Sequence, residues 1–300
     1  MQDERSTLFN RLQSGVLPAM ATPLTADGYA VNLDAVPTTV DFLIGAGVNG
    51  LFVGGTTGEG LLLDIQQRYA LHEAAMKAVS GQAPLLLHVG TNNTRDTSAL
   101  AAHASEMGVD GIVVITPTFY GMNDDALLAY FQEIAARAPA TPFLVYDIPH
   151  MAVNGVSPAL LARLMQTIPN FAGVKCSRPD AQIIRQLIDV ANNRVLVLAG
   201  NERIALGSLA LGASGLISGL ATAIPEPFVA LVAAVAAGNL ERAQAEQMRI
   251  NRLLDLIPAG ERIGALKLIL EQRGIPAGPV VPPRALPAAP ELWQRLSALL

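Results

Sequence analysis

Three features of the chain have residue types suited to chemistry. Lys175 ends the apolar run Phe171-Ala172-Gly173-Val174-Lys175, which reads as a buried strand. Desolvation disfavours the ammonium form, and a neutral amine can attack a ketone and form an imine. Tyr146 ends the run Phe143-Leu144-Val145-Tyr146, and its phenol could carry protons at such a site. Between Gly54 and Gly60, the segment Gly-Gly-Thr-Thr-Gly-Glu-Gly lacks the lysine of a P-loop. Its glycines would let the backbone approach a carboxylate, with Thr56 and Thr57 adding hydroxyl donors. Each feature has a structural explanation too. The lysine can snorkel from a strand end, the tyrosine can pack, and the Gly-Thr segment can be a solvated turn.

Position in the fold discriminates between these readings. Eight β-rich apolar runs recur: Val16–Met20, Gly50–Val53, Leu85–Val89, Gly111–Ile115, Phe143–Tyr146, Ala172–Lys175, Val195–Ala199 and Gly215–Ser218. Helical patterns fill the gaps. Asp64 and Gln67 form a capping box, Ser157-Pro158 opens a helix, and Gly108, Gly212 and Gly238 sit at helix ends. Eight strands alternating with helices predict an α/β fold, a (β/α)₈ TIM barrel with extra C-terminal helices. An open doubly wound sheet is the other arrangement this alternation allows. We expect a catalytic barrel over residues 1–225. A C-terminal helical extension over 226–300, packed on the barrel, would comprise helices at Glu226–Ala237, Leu240–Leu256, Glu261–Arg273 and Glu291–Leu300. In a barrel the C-terminal strand ends form one mouth, so Lys175, Tyr146 and the Gly54–Gly60 loop would face the same space. That arrangement favours the chemical reading of the lysine.

Composition narrows the function classes. The chain is 51% hydrophobic, carries a net charge of −5 and has no Lys/Arg run, so nucleic acid is not an expected partner. Residues 204–224 contain no charged side chain, but four glycines interrupt the stretch and Pro225 follows. A packed helix and a buried strand explain it better than a membrane span. Met1–Asn10 lacks the apolar core of a signal peptide. The single cysteine, Cys176, fits a reducing cytoplasm and reads as a small apolar residue facing away from the barrel interior. No metal site is expected, because His72, His88, His103 and His150 lack ligand spacing. His72 and His103 are expected on helix surfaces and His88 in the core. No G-x-S-x-G elbow marks a serine hydrolase.

Taken in order, Gly54-Gly55-Thr56-Thr57-Gly58-Glu59, Thr116-Pro117, Tyr146-Asp147-Ile148-Pro149, Gly173-Val174-Lys175 and Ala210-Leu211-Gly212-Ala213 leading to Gly215–Ser218 span nearly the whole chain. In this combination the sequence resembles the dihydrodipicolinate synthase/N-acetylneuraminate lyase family of Schiff-base barrel enzymes. The resemblance implies that Lys175 forms an imine with pyruvate or a longer 2-oxo acid, without an external cofactor. It implies that Tyr146 is the general acid/base and that Thr56 and Thr57 hold the carboxylate, Thr56 also relaying a proton. Gly55 would line that carboxylate site, and the Ile217 carbonyl would lie near the keto acid. Ser177, Asn201, Glu202, Arg203 and His150 are the candidates to meet the rest of the substrate. A homotetramer built from dimers is the implied assembly, with a dimer as the smaller alternative.

Three departures from the family pattern bear on the activity. Met151 stands where the synthases carry an arginine for a dicarboxylic partner. Phe119 aligns with the tyrosine that completes a proton relay across a dimer interface, and Tyr120 could replace it by a one-residue shift. Ser218-Gly219-Leu220 also differs from the polar segment of the sialic acid lyases. The expected activity is cleavage of a 2-oxo acid, in particular a 2-keto-3-deoxy sugar acid, to pyruvate and an aldehyde. Dihydrodipicolinate synthesis, dehydration of a 2-oxo acid, and keto-acid binding without turnover are the alternatives.

Overall fold

The apolar runs fold into parallel strands because each is buried along its full length, the signature of strands covered on both faces. In the computed structural model, which describes residues 4–258 and 260–300, they are β1 Gly15–Pro18, β2 Leu51–Val53, β3 Leu85–His88, β4 Gly111–Ile115, β5 Phe143–Asp147, β6 Phe171–Cys176, β7 Leu196–Ala199 and β8 Gly215–Ser218. Helices separate the strands, and the architecture is a (β/α)₈ barrel with further helices after β8. Residues 1–3 of the segment read for a signal peptide lie outside the described residues.

The residues group into two compact units. One comprises the chain up to Gly15 together with Pro84–Ile217, the other Val16–Ala83 and Ser218–Leu300. Within the first, β3 through β8 pair in succession, all parallel. β5 and β6 run one residue further than their apolar runs suggest. Asp147 and Cys176 are register partners, and the ladder continues through Ser177 N–H to Asp147 O (2.9 Å) and Gly200 N–H to Cys176 O (2.7 Å). Gly173 adopts φ 158°, and a Cβ there would collide with the Leu196 carbonyl. Only glycine allows β6 this approach to β7, two residues before Lys175.

In the second unit, β1 and β2 are linked by the parallel bridge Ala19–Phe52, and Ala19 N–H donates to Ser218 O at the end of β8 (2.7 Å). The later helices are Glu226–Ala236, Leu240–Leu256, Arg262–Gln272 and Leu292–Ser297. Arg273 joins three parts of this unit. Its guanidinium stacks on Phe42 (4.7 Å) and Trp293 (4.5 Å), pairs with Glu226 (2.5 Å) and donates to Ala223 O (2.6 Å).

Local signals place the helix starts well. Asp64 caps its helix by accepting from Gln67 N–H (2.9 Å) and Gln67 Nε2 (3.0 Å), but the expected capping box is not reciprocal, since Gln67 Oε1 accepts from Val31 N–H instead (3.1 Å). Ser157 Oγ caps Leu160 N–H (3.0 Å). Such caps contribute about 1 kcal/mol each. Residues 204–224 divide into helix Ala205–Ala210, strand β8 and a 3₁₀ turn. Among the described residues no helix is long and apolar enough to cross a membrane. One surface expectation is corrected: His72 is fully buried. It lies with Arg68, Ala75 and Val79 on the inward stripe of helix Ile65–Val79, where i, i+4, i+7 spacing puts them on one face. His103 is half-buried.

Candidate active site

β5 and β6 set the centre of the site in the first unit. Tyr146 and Lys175 are direct register partners, so their side chains leave neighbouring strands on one face. The Lys175 Nζ lies 3.9 Å from the centroid of the Tyr146 ring, within cation–π range. Both residues are buried, at 4% and 2% exposure. Loss of solvent pulls the Lys175 amine below its ordinary pKa of 10.5, opposed by the Tyr146 phenol and the Glu202 carboxylate. Burial dominates, so the neutral nucleophilic form is favoured relative to an exposed lysine. His88 on β3 is buried, as expected, and meets the Tyr146 ring edge-to-face with centroids 6.2 Å apart.

The ends of β6 and β7 bring further predicted residues near this centre. Glu202 begins the 3₁₀ turn Glu202–Ile204 and reaches Lys175 electrostatically. Asn201 shapes that turn by accepting from Arg203 N–H (3.1 Å). Ser177 packs its hydroxyl directly on Gly200, where a Cβ would overlap it. Ile217 is buried on β8, whereas Arg203 is exposed.

A buried ion pair behind the two central residues escapes the sequence reading. Asp147, adjacent to Tyr146, is completely buried and takes a two-pronged contact from Arg178, Nε to Oδ2 at 2.6 Å and Nη2 to Oδ1 at 3.0 Å. Val156 N–H (2.8 Å) and Cys176 Sγ (3.4 Å) also donate to it. Paired donors of this kind satisfy a buried carboxylate. Burial and the Asp147 charge push the Cys176 thiol up to about 12. Cys176 is therefore a neutral donor in this cluster as well as a small core residue. The signal available in the sequence was the pair of charged residues one and three positions beyond the predicted catalytic groups.

Asn154 organises the Thr116–Met122 loop. Its Nδ2 donates to Pro117 O and Tyr120 O, both at 2.7 Å, and its Oδ1 accepts from Met122 N–H at 2.7 Å. This leaves Phe119 and Tyr120 78% and 72% exposed, stacked edge-to-face at 5.1 Å. Phe119 adopts φ 77°, a conformation rare for a bulky residue.

The second unit carries Gly55, Thr56 and Thr57. Their loop is tightly closed: Glu59 N–H donates to Thr56 O (3.1 Å), Gly60 N–H to Gly55 O (3.2 Å) and Thr22 Oγ1 to Gly58 O (2.6 Å). A Cβ on Gly60 would overlap Gly54 O, so the closure requires glycine there. Thr56 and Thr57 are half-buried. Among the described residues no group of three or more His, Cys, Asp or Glu is placed to hold a metal ion.

Comparison with known proteins gives a consistent identification. The model of the dihydrodipicolinate synthetase family matches residues 12–300. The N-acetylneuraminate lyase of Rattus norvegicus is 35% identical over 272 residues, covering 88% of this chain and 85% of its own. The solved structure of Ruminococcus gnavus sialic acid aldolase superposes with a TM-score of 0.91 at 28% identity, covering 96% of this chain and 97% of that one. A dihydrodipicolinic acid synthase family protein from E. coli K12, solved in complex with pyruvate, gives a TM-score of 0.88 at 28% identity, with 95% and 98% covered. The chain belongs to the dihydrodipicolinate synthetase family, and with it to the class I lyases that work through a lysine imine.

Proposed function

We propose that this lyase cleaves a 2-keto-3-deoxy sugar acid to pyruvate and an aldehyde, with Lys175 as the nucleophile. The observation that carries this reading is the desolvated Lys175 amine held 3.9 Å over the Tyr146 ring. The amine adds to the C2 ketone and, with a proton given up by the Tyr146 phenol, water leaves, giving a protonated imine and a phenolate. Tyr146 takes the proton of the C4 hydroxyl, the C3–C4 bond breaks, and its electron pair passes into the imine as an enamine while the aldehyde departs. A proton returned to C3 and hydrolysis of the imine release pyruvate and the free amine. Thr56 and Thr57, beside Gly55, hold the carboxylate, Thr56 also passes a proton, and the Ile217 carbonyl lies near the keto acid. Holding the ketone against the amine is a positioning effect. No external cofactor enters this scheme, since the imine itself is the electron sink.

Substrate choice rests on the residues beyond the imine. Ser177, Glu202 and Arg203 supply hydroxyl, carboxylate and guanidinium groups suited to a polyhydroxylated tail. Dihydrodipicolinate synthesis is the second reading, and Met151, 59% exposed, offers a dicarboxylic partner no charge. The exposed Phe119–Tyr120 pair supports a homo-oligomer, a dimer or tetramer in which this loop packs against another copy, measurable by light scattering. A single, buried cysteine fits a cytoplasmic location, which fractionation of the native host would check.

The chain has three lysines, Lys77, Lys175 and Lys267, so covalent trapping is easily mapped. Pyruvate with borohydride is expected to modify the Lys175 peptide, with exposed Lys77 as the internal control. The trapping rate should rise with pH as the amine deprotonates and level off below 10.5, because burial lowers that pKa. No adduct on Lys175 would refute the imine mechanism. With the adduct established, 2-keto-3-deoxy sugar acids should release pyruvate faster than the protein consumes pyruvate with aspartate semialdehyde. The reverse order would favour the synthase reading.

A further inference from the structure

The Gly54–Gly60 loop contains a charged residue that the reaction scheme leaves unused. Glu59 is 3% exposed and sits in the left-handed region at φ 57°, a conformation a non-glycine residue keeps only where its surroundings fix it. Its surroundings do so from the far end of the chain. Lys267, in helix Arg262–Gln272, is fully buried and places Nζ 2.8 Å from Glu59 Oε2, while donating to Pro279 O at 2.6 Å. On the other oxygen, Oε1 accepts from Val281 N–H at 2.8 Å and from the Arg284 guanidinium. One carboxylate is thus gripped by two cations and a backbone amide, more than 200 residues away in sequence. Burial pulls the Lys267 amine down, and the Glu59 charge opposes that shift.

The grip is transmitted to the threonines through short covalent and hydrogen-bonded links. Glu59 lies two residues beyond Thr57, its N–H donates to Thr56 O, and the next N–H closes onto Gly55 O. Rotation of Glu59 out of its present conformation would break both bonds. Lys267 is too deeply committed to Glu59 to be a second imine-forming amine. We propose that Lys267 and Arg284 are positioning residues for carboxylate recognition, fixing Glu59 so that Thr56 and Thr57 hold the 2-oxo acid's carboxylate. This deepens the proposed function and rests on its assignment of Thr56 and Thr57.

The test separates carboxylate recognition from amine chemistry. Wild type, Lys267→Met and Arg284→Gln would each be titrated with pyruvate in the presence of borohydride, and in parallel with acetaldehyde, a carbonyl compound without a carboxylate. The expected result is a pyruvate concentration for half-maximal Lys175 trapping raised about tenfold in Lys267→Met and about threefold in Arg284→Gln, consistent with loss of charge-assisted hydrogen bonds. The acetaldehyde reaction at Lys175 should be unchanged in both. Arg284 is partly exposed, so its variant carries the test if Lys267→Met does not fold. Equal effects on both carbonyl compounds, or no effect on pyruvate in a folded variant, would overturn the positioning role. Failure of the wild type to trap pyruvate at Lys175 would instead refute the imine reading on which it depends.

Discussion

Replacing Lys175 with methionine eliminates pyruvate trapping and lowers turnover on the order of 10⁴-fold or more, the scale seen when a covalent nucleophile is removed. Methionine keeps an unbranched side chain one atom shorter than lysine and able to pack on Tyr146, so the loss reports the amine more than a cavity. The same substitution is expected to leave the fold at least as stable. A buried lysine with a lowered pKa disfavours the folded state when protonated. The sign follows from proton uptake: between the lowered folded pKa and the ordinary 10.5, the unfolded chain binds more protons, so wild-type stability gains from this residue as pH rises through that window. Subtracting the Lys175→Met unfolding curve from the wild-type curve isolates the contribution. A variant that still traps pyruvate on another lysine would sink the assignment. A variant much less stable than wild type at neutral pH would show that the amine serves packing instead.

What the sequence displays and what it conceals divide along physical lines. Lys175 and Tyr146 are legible because each interrupts a short apolar strand, and parallel strands put such interruptions at one end of a barrel. The Gly54–Gly60 loop is legible from composition, since only close backbone contact calls for so many glycines. The Asp147–Arg178 pair is not, because its partners lie 31 residues apart and join only when β5 and β6 align. Burial of His72 depends on which helix face turns inward, and the weakly amphipathic helix around it gives little indication. Lys267 did carry a usable signal. It stands inside the apolar run Ala265-Leu266-Lys267-Leu268-Ile269-Leu270, the same anomaly that singles out Lys175. Its distinction is a carboxylate partner at 2.8 Å, where Lys175 lies over an aromatic face. Burial pulls both amines down, and at Lys267 the paired Glu59 carboxylate opposes that shift.

Replacing Tyr146 with phenylalanine separates the two stages of the reaction. Turnover of the cleavable substrate should fall about 10²–10⁴-fold, the usual contribution of a positioned acid/base, while pyruvate trapping at Lys175 persists. The phenylalanine keeps the ring beneath the amine and its contact with His88, so the geometry of Lys175 is retained. Its effect on the amine also has a definite sign. The Tyr146 hydroxyl raises the Lys175 pKa against the larger effect of burial, so removing it lowers that pKa further and leaves more neutral amine at a given pH. The pH at which trapping levels off should accordingly move down in the variant. A loss of turnover then cannot come from a more protonated nucleophile, and must come from the step in which the C4 hydroxyl proton is removed. Equal losses in trapping and turnover, with no downward movement of the trapping profile, would contradict the acid/base role and leave Tyr146 as a packing partner of the lysine.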